Sequence, residues 1–301
     1  MIKVKYILLS ASLLFVFTAR AQQNPSFQIN RTYHTGMELL DKEKYVAASE
    51  QFKQVEASRL KTSNQPQFES ELSLLKENAQ YYIALCALEL DNDDAESLFL
   101  KFIKEHPENP LTKLAYFQIG RSYSKRSNYK ETLRWFDKVN ANDLTGSENT
   151  EYKFRKGYAY FATNDYKNAQ QQFSQVKNKR SPFQDDATYY FAYIAYLNKD
   201  YHLALNDFEK LKNSKKYQNS YPYYITAVYF LDKRYDDVIS YAVPIVNNSR
   251  QQNETEMFRI IAASYFAKND YPNAVAYYTR FANNDLGKTQ STQDSYQMGY
   301  A

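Results

Sequence analysis

The chain has 301 residues, long enough for two ordinary domains or one long array. It is 44% hydrophobic, yet its mean hydropathy is −0.71, because 30 residues are Tyr, which buries a ring while its hydroxyl stays wet. Six Gly and eight Pro make up about 5% of the chain against roughly 12% in an average protein, which favours many helices and argues against a β-sandwich or a disordered chain.

The formal net charge is +4, but Lys3, Lys5 and Arg20 lie in the first 21 residues, which hold no acid. The rest carries 35 basic against 34 acidic side chains. That near-balance leaves no electrostatic footprint for nucleic acid or an anionic membrane surface. The single cysteine, Cys86, excludes an intramolecular disulfide and a thiolate metal cluster. It sits in the apolar run 82–90 and reads as a buried structural thiol.

Residues 1–5 carry two lysines, residues 6–19 are apolar or small throughout, and Ala19 and Ala21 stand at −3 and −1 of a cut before Gln22. These are the charged start, apolar centre and small-residue exit of a Sec signal peptide. The 14 apolar positions fall short of the ~20 that a spanning helix needs. The expectation is export, cleavage after residue 21, no membrane span in the mature chain, and a periplasmic or outer-membrane-associated location. An uncleaved anchor is the alternative. The absence of a cysteine near the cut closes the lipoprotein route. Residues 22–29 are expected to be a short disordered leader.

From there one local phrase repeats. Short polar turns end in Tyr45, Tyr129, Tyr166, Tyr201, Tyr235 and Tyr271, and Asn92 takes the tyrosine's place in the second unit. The spacings are 47, 37, 37, 35, 34 and 36, near the 34-residue period of helix–turn–helix repeats after the first. Three residues after each turn residue comes a small side chain: Ala48, Ala95, Thr132, Ala169, Ala204, Val238 and Ala274. Seven after it comes a larger one in most units: Phe52, Phe99, Phe136, Phe173, Phe208, Ala242 and Tyr278. Ten after it is an apolar residue: Val55, Phe102, Val139, Val176, Leu211, Ile245 and Phe281. Offsets of three, seven and ten share one helical face, so a second helix begins near each turn and buries that face. Nine residues before the turn lies another small slot: Gly36, Gly120, Gly157, Ala192, Thr226 and Ala262, with residues 83–84 in the second unit. Gly inside a helix costs about 1 kcal/mol relative to Ala. Its recurrence there points to close approach of the two helices of a unit. Six before the turn, Leu39, Cys86, Tyr123, Tyr160, Ala195, Tyr229 and Tyr265 fill the space beside that slot.

This order of Gly or Ala, aromatic, turn tyrosine, Ala and Phe resembles the tetratricopeptide repeat over about residues 30–301. The stretch KFIKEHPENP at 101–110 resembles the unit ends of exported bacterial envelope members. The resemblance implies an all-α, right-handed superhelical solenoid of antiparallel helix pairs. Seven units are expected at about 30–60, 67–107, 111–142, 148–180, 184–215, 218–248 and 253–284. Three departures stand out. The 47-residue step implies a longer first helix in the second unit plus a loop. In the sixth unit Thr226, Val238 and Ala242 replace the usual residues, and Pro244 falls inside a helix, where a kink is expected. Residues 291–301 read as the first helix of an incomplete eighth unit, with Met298 and Tyr296 uncovered and open to self-association. Continuation beyond Ala301 is expected.

No nucleophile elbow, phosphate-cradling loop or zinc-protease helix occurs. His34, His106 and His202 lie in different units, and Trp135 adjoins the Phe136 slot, so surface, helix-end and packing roles are expected. Asp185, Asp186, Asp236 and Asp237 stand at helix starts, where acids complement the macrodipole. No enzyme activity, cofactor or metal is expected.

Family geometry implies that residues three before, one after and four after the small slot face a groove. From these positions the candidate partner-binding residues are Phe117, Arg121, Phe154, Tyr158, Phe161, Tyr189, Tyr193, Tyr196, Tyr223, Phe230, Arg259 and Phe266. The expected function is a non-catalytic protein–protein interaction scaffold of the cell envelope that holds a peptide or protein segment. A glycan-binding envelope protein, or the repeat region of a longer protein with an activity beyond residue 301, are the alternatives.

Overall fold

The structure is a computed structural model that describes residues 25–59, 66–283 and 297. The expected signal peptide, and all of residues 291–301 except Gln297, lie outside the described residues. Among the described residues, fourteen α-helices follow in antiparallel pairs. They are α1 (Pro25–Asp41) with α2 (Tyr45–Ala57), α3 (Pro66–Glu89) with α4 (Ala95–Glu105), and α5 (Leu111–Lys125) with α6 (Tyr129–Phe136). Next come α7 (Gly146–Ala162) with α8 (Tyr166–Ser174) and α9 (Gln184–Leu197) with α10 (Tyr201–Glu209). The last are α11 (Tyr221–Leu231) with α12 (Tyr235–Asn248), and α13 (Glu254–Ala267) with α14 (Tyr271–Ala282). No strand occurs among the described residues. The chain divides into two compact units between Thr145 and Gly146, the first holding α1–α6 and the second α7–α14.

Every pair turns in the same way. Glu43, Asp91, Ser127, Asn164, Lys199, Lys233 and Asn269 all have positive φ, between 53° and 64°. At each, the next N–H reaches back five residues and the positive-φ residue's own N–H reaches back three, as in Lys44 N–H to Leu39 O and Glu43 N–H to Leu40 O, both 2.9 Å. This is the Schellman motif, which satisfies carbonyls left open at a helix end. In six of the pairs the residue after it is the N-cap of the second helix, and in the second pair that cap is Asp94. Asn128, Asp165, Asp200 and Asp270 cap that helix by accepting a backbone N–H on their side chains, whereas Lys44 and Arg234 have no acceptor to offer.

The two small slots and the large slot form the core of each pair. Ala48, Thr132, Ala169, Ala204, Val238 and Ala274 are fully buried, as are Phe52, Phe99, Phe136, Phe173, Phe208, Ala242 and Tyr278. A Cβ built at Gly36 would stand 2.8 Å from Phe52 Cε1, and one at Gly157 would stand 3.0 Å from Phe173 Cε1. At Gly120 the Phe136 ring is closer still. The glycines therefore accept a helix-propensity cost so that a ring can lie against backbone. Cys86 is buried, and burial pushes its thiol up to about 11, so it is an inert packing group.

Several expectations need correction. The leader expected at residues 22–29 is helical from Pro25 onward, with proline at the first helical position, where its missing N–H costs nothing. Ile29 packs on the Phe52 cluster. In the second unit Asp91 follows Ala84 by seven residues, as in every other pair, but Ala95 follows Asp91 by four where the other units have five. The deletion thus lies after the turn, and measured from the turn the position beside the small slot is Ala87, not Cys86. Both are buried. Val139, Val176 and Leu211 come after α6, α8 and α10 have ended, so the third core position is delivered by turn or 3₁₀ backbone. The helix α12 runs through Pro244 to Asn248, and the Pro244 carbonyl accepts from Asn248 Nδ2 at 2.8 Å. Where other pairs have a ring the sixth has Ala242, which shares a buried cluster with Met257 and Ile260. The long α3, 24 residues, agrees with the 47-residue step.

Candidate partner-binding site

In the first unit the two candidate residues serve the core. Phe117 is 1% exposed and stacks on Phe136 with ring centroids 6.1 Å apart. It is therefore removed from the accessible face: α5 turns it toward α6. Arg121 is half-buried, and its guanidinium pairs with Glu89 of α3, which also receives Lys125 Nζ at 3.1 Å. The pair ties the first helices of two successive pairs together.

In the second unit the candidates on α7 and α9 form a continuous aromatic band. On α7, Phe154, Tyr158 and Phe161 follow one another at i, i+4 and i+7, with centroids 6.4 and 6.3 Å apart. On α9, Tyr189, Tyr193 and Tyr196 do the same at 6.2 and 6.1 Å. Phe161 meets Tyr193 at 6.0 Å, which joins the two rows. On α11, Tyr223 and Phe230 continue the band, and on α13 Phe266 packs on Tyr271. Arg259 pairs with Glu256 at 2.9 Å. All ten of these residues are half-buried: one side of each ring packs inward and another part stays in solvent.

Two residues outside the expected set hold the band in place. Tyr190 packs on Tyr158 at 5.1 Å and Phe161 at 4.9 Å, and stacks on Phe173 at 5.5 Å. Tyr224 packs on Tyr193 at 5.7 Å and stacks on Phe208 at 5.0 Å, and its hydroxyl meets that of Tyr189 at 2.9 Å. In the first unit Tyr82 stacks on Phe52 in the same way, at 5.1 Å. Each of the three stands two residues before the small slot of its helix and seals the large slot of the preceding pair. That recurrence is visible in the sequence, and it is the signal that would have found them. Burial, followed by neighbouring phenols, pushes the hydroxyls of Tyr193 and Tyr196 up from their ordinary value. Burial and the Tyr224 hydrogen bond do the same for Tyr189. The band is therefore uncharged at neutral pH, with hydroxyls to donate and ring area to cover.

Residues 78–109 match the family model of the tetratricopeptide repeat. The fold is a tetratricopeptide-type helical repeat. The matched segment is α3–α4, the pair with the shortened turn, and it includes Pro107. No curated protein matches the chain in sequence. Among solved structures, the apo form of RapI is similar over 90% of this chain and 80% of that one, at 13% identity and a TM-score of 0.51. A tetratricopeptide repeat protein from Parabacteroides merdae ATCC 43184 aligns over 90% and 97% at 13% identity and a TM-score of 0.45. Pseudomonas aeruginosa pilF aligns over 74% and 96% at 14% identity and a TM-score of 0.47. At 13% identity the likeness to RapI is one of fold.

Among the described residues, no group of three or more His, Cys, Asp or Glu is placed to hold a metal ion, and no helix is long and apolar enough to cross a membrane. His34 and His202 are exposed on helices. His106 ends α4, with Nε2 2.8 Å from Gln80 Oε1.

Proposed function

We propose that the chain is a non-catalytic binding scaffold that holds a peptide or protein segment on the aromatic band of the second unit, across α7, α9, α11 and α13. The observation that carries this reading is the run of half-buried rings in contact from Phe154 to Tyr196, braced from behind by Tyr190 and Tyr224, with Tyr196, Tyr223, Phe230 and Phe266 packed against the next buried cluster. Tyr rings give contact area at low entropic cost, and binding energy concentrates on such residues. Export to the periplasm or the outer membrane belongs to the same proposal and is supported by the sequence of residues 1–21.

The direct test is the double variant Tyr158→Ala with Tyr193→Ala. Both rings touch neighbouring rings, so the change lowers stability by more than the sequence alone implies. It leaves the helices folded by circular dichroism and abolishes capture of the partner. Capture at wild-type strength by the folded variant would place the binding face elsewhere. Recovery of an oligosaccharide and no polypeptide would favour the glycan reading.

A further inference from the structure

The near-zero charge of residues 22–301 hides a local imbalance in the second unit. Two of the three segments that lead from one pair to the next, residues 177–186 and 207–217, together carry seven Lys and Arg against four carboxylates, whereas the third, residues 249–253, holds one Arg. The four tight turns at the opposite end of the same pairs, residues 162–167, 197–202, 231–237 and 267–271, carry five basic against six acidic side chains. Part of the positive charge is neutralised inside the fold. Lys177 and Lys210 each lie 2.5 Å from Asp207, and Lys216 lies 2.7 Å from Asp186. Lys179, Arg180, Lys212 and Lys215 are exposed and enter no ion pair among the described residues.

Both segments are pinned against the aromatic band at equivalent points. Phe183 stacks on Phe154 at 4.9 Å, and Tyr217 stacks on Tyr189 at 4.5 Å. Phe154 and Tyr189 stand three residues before Gly157 and Ala192, the same place in two successive repeats. The free cations therefore edge the start of the band at two successive steps. Lys153, beside Phe154 on α7, is half-buried, and burial followed by the positive charge of Lys179 holds its pKa below the ordinary lysine value. Two cations held near one another with no acid between them are a place where an anion relieves repulsion.

We propose that the segment bound by the aromatic band is acidic, laying apolar side chains on the rings while its carboxylates run along the free cations of residues 179–180 and 212–215. This rests on the band being the binding face and adds the chemistry of its occupant. Charges at the rim of an interface act chiefly on partner choice, association rate and salt dependence, while the rings supply the area.

The test uses the full chain and two labelled synthetic peptides that share their leucine, proline and phenylalanine positions, one with glutamates between them and one with lysines. The glutamate peptide binds at least about tenfold more tightly at low salt, and the gap closes as salt is raised. Lys179→Glu with Lys215→Glu, both exposed and unpaired, removes that preference and leaves the circular dichroism spectrum unchanged. Equal binding of both peptides, lost in the Tyr158→Ala, Tyr193→Ala variant, would overturn the acidic occupant and keep the aromatic face. Binding of neither peptide would overturn both. Capture of anionic phospholipid vesicles, abolished by the charge reversal, with no preference for the glutamate peptide, would overturn the acidic segment in favour of a lipid surface.

Discussion

Asp207→Ala destabilises the second unit by about 3–5 kcal/mol, the range for removing one partner of a buried ion pair. Asp207 is fully buried in α10, and its two oxygens receive Lys177 and Lys210 at 2.5 Å each. The Lys177 side chain is only 11% exposed, and its ammonium lies 3.8 Å from the centre of the Phe191 ring. Without the carboxylate that charge remains in a largely apolar setting, with only the ring face in compensation. Lys210 is 47% exposed, so Lys210→Met costs less than about 1 kcal/mol, as for a surface pair. Replacing both members, Lys177→Met with Asp207→Leu, restores most of the loss, because the cost lies in the stranded charge. Urea unfolding followed by circular dichroism reads the effect. The fluorescence of Trp135, the single tryptophan, reports the first unit. An Asp207→Ala loss no larger than that of Lys210→Met would mean that the triad contributes little.

Phe136→Ala costs about 3–5 kcal/mol in the first unit, as for an aromatic removed from a fully packed site. The ring lies between the backbone of α5 at Gly120 and the face of Phe117. Gly120→Ala is destabilising by about 1–3 kcal/mol through overpacking, although alanine is the better helix former by about 1 kcal/mol. The two sites are coupled. With Phe136→Leu in place the penalty of Gly120→Ala shrinks, giving an interaction energy of roughly 0.5–3 kcal/mol in a double-mutant cycle. Trp135 fluorescence during urea unfolding reads all four corners. Additive losses would show that the glycine is not there to admit the ring.

The packing of each pair was legible in the sequence because it depends on local spacing. The period places Gly36, Gly120 and Gly157 opposite Phe52, Phe136 and Phe173, and the contacts follow. What the period could not give is the turning of a side chain within its helix. Phe117 shares its register with Phe154 and Tyr189, and all three meet the large-slot ring of their own pair, yet of the three only Phe117 is fully buried. The bracing tyrosines, Tyr82, Tyr190 and Tyr224, act between pairs. Their role depends on the preceding pair's phenylalanine, 16–30 residues away in sequence, so a reading confined to one unit overlooks them. The helix at Pro25 was missed because residues 22–29 are polar apart from Phe27 and Ile29. Its stability comes from packing on the next helix, as it does for most helices in proteins.

The central claim is that a partner lies along the aromatic band of the second unit. Site-specific photo-crosslinking in the native cells tests it most directly, with a benzophenone side chain placed singly at Tyr158, Tyr193 or Gln171, the last exposed on α8. The expected result is one polypeptide adduct, identified by mass spectrometry, from positions 158 and 193 and none from 171. Adducts from 171 alone, or from all three positions equally, would contradict a partner held on that face.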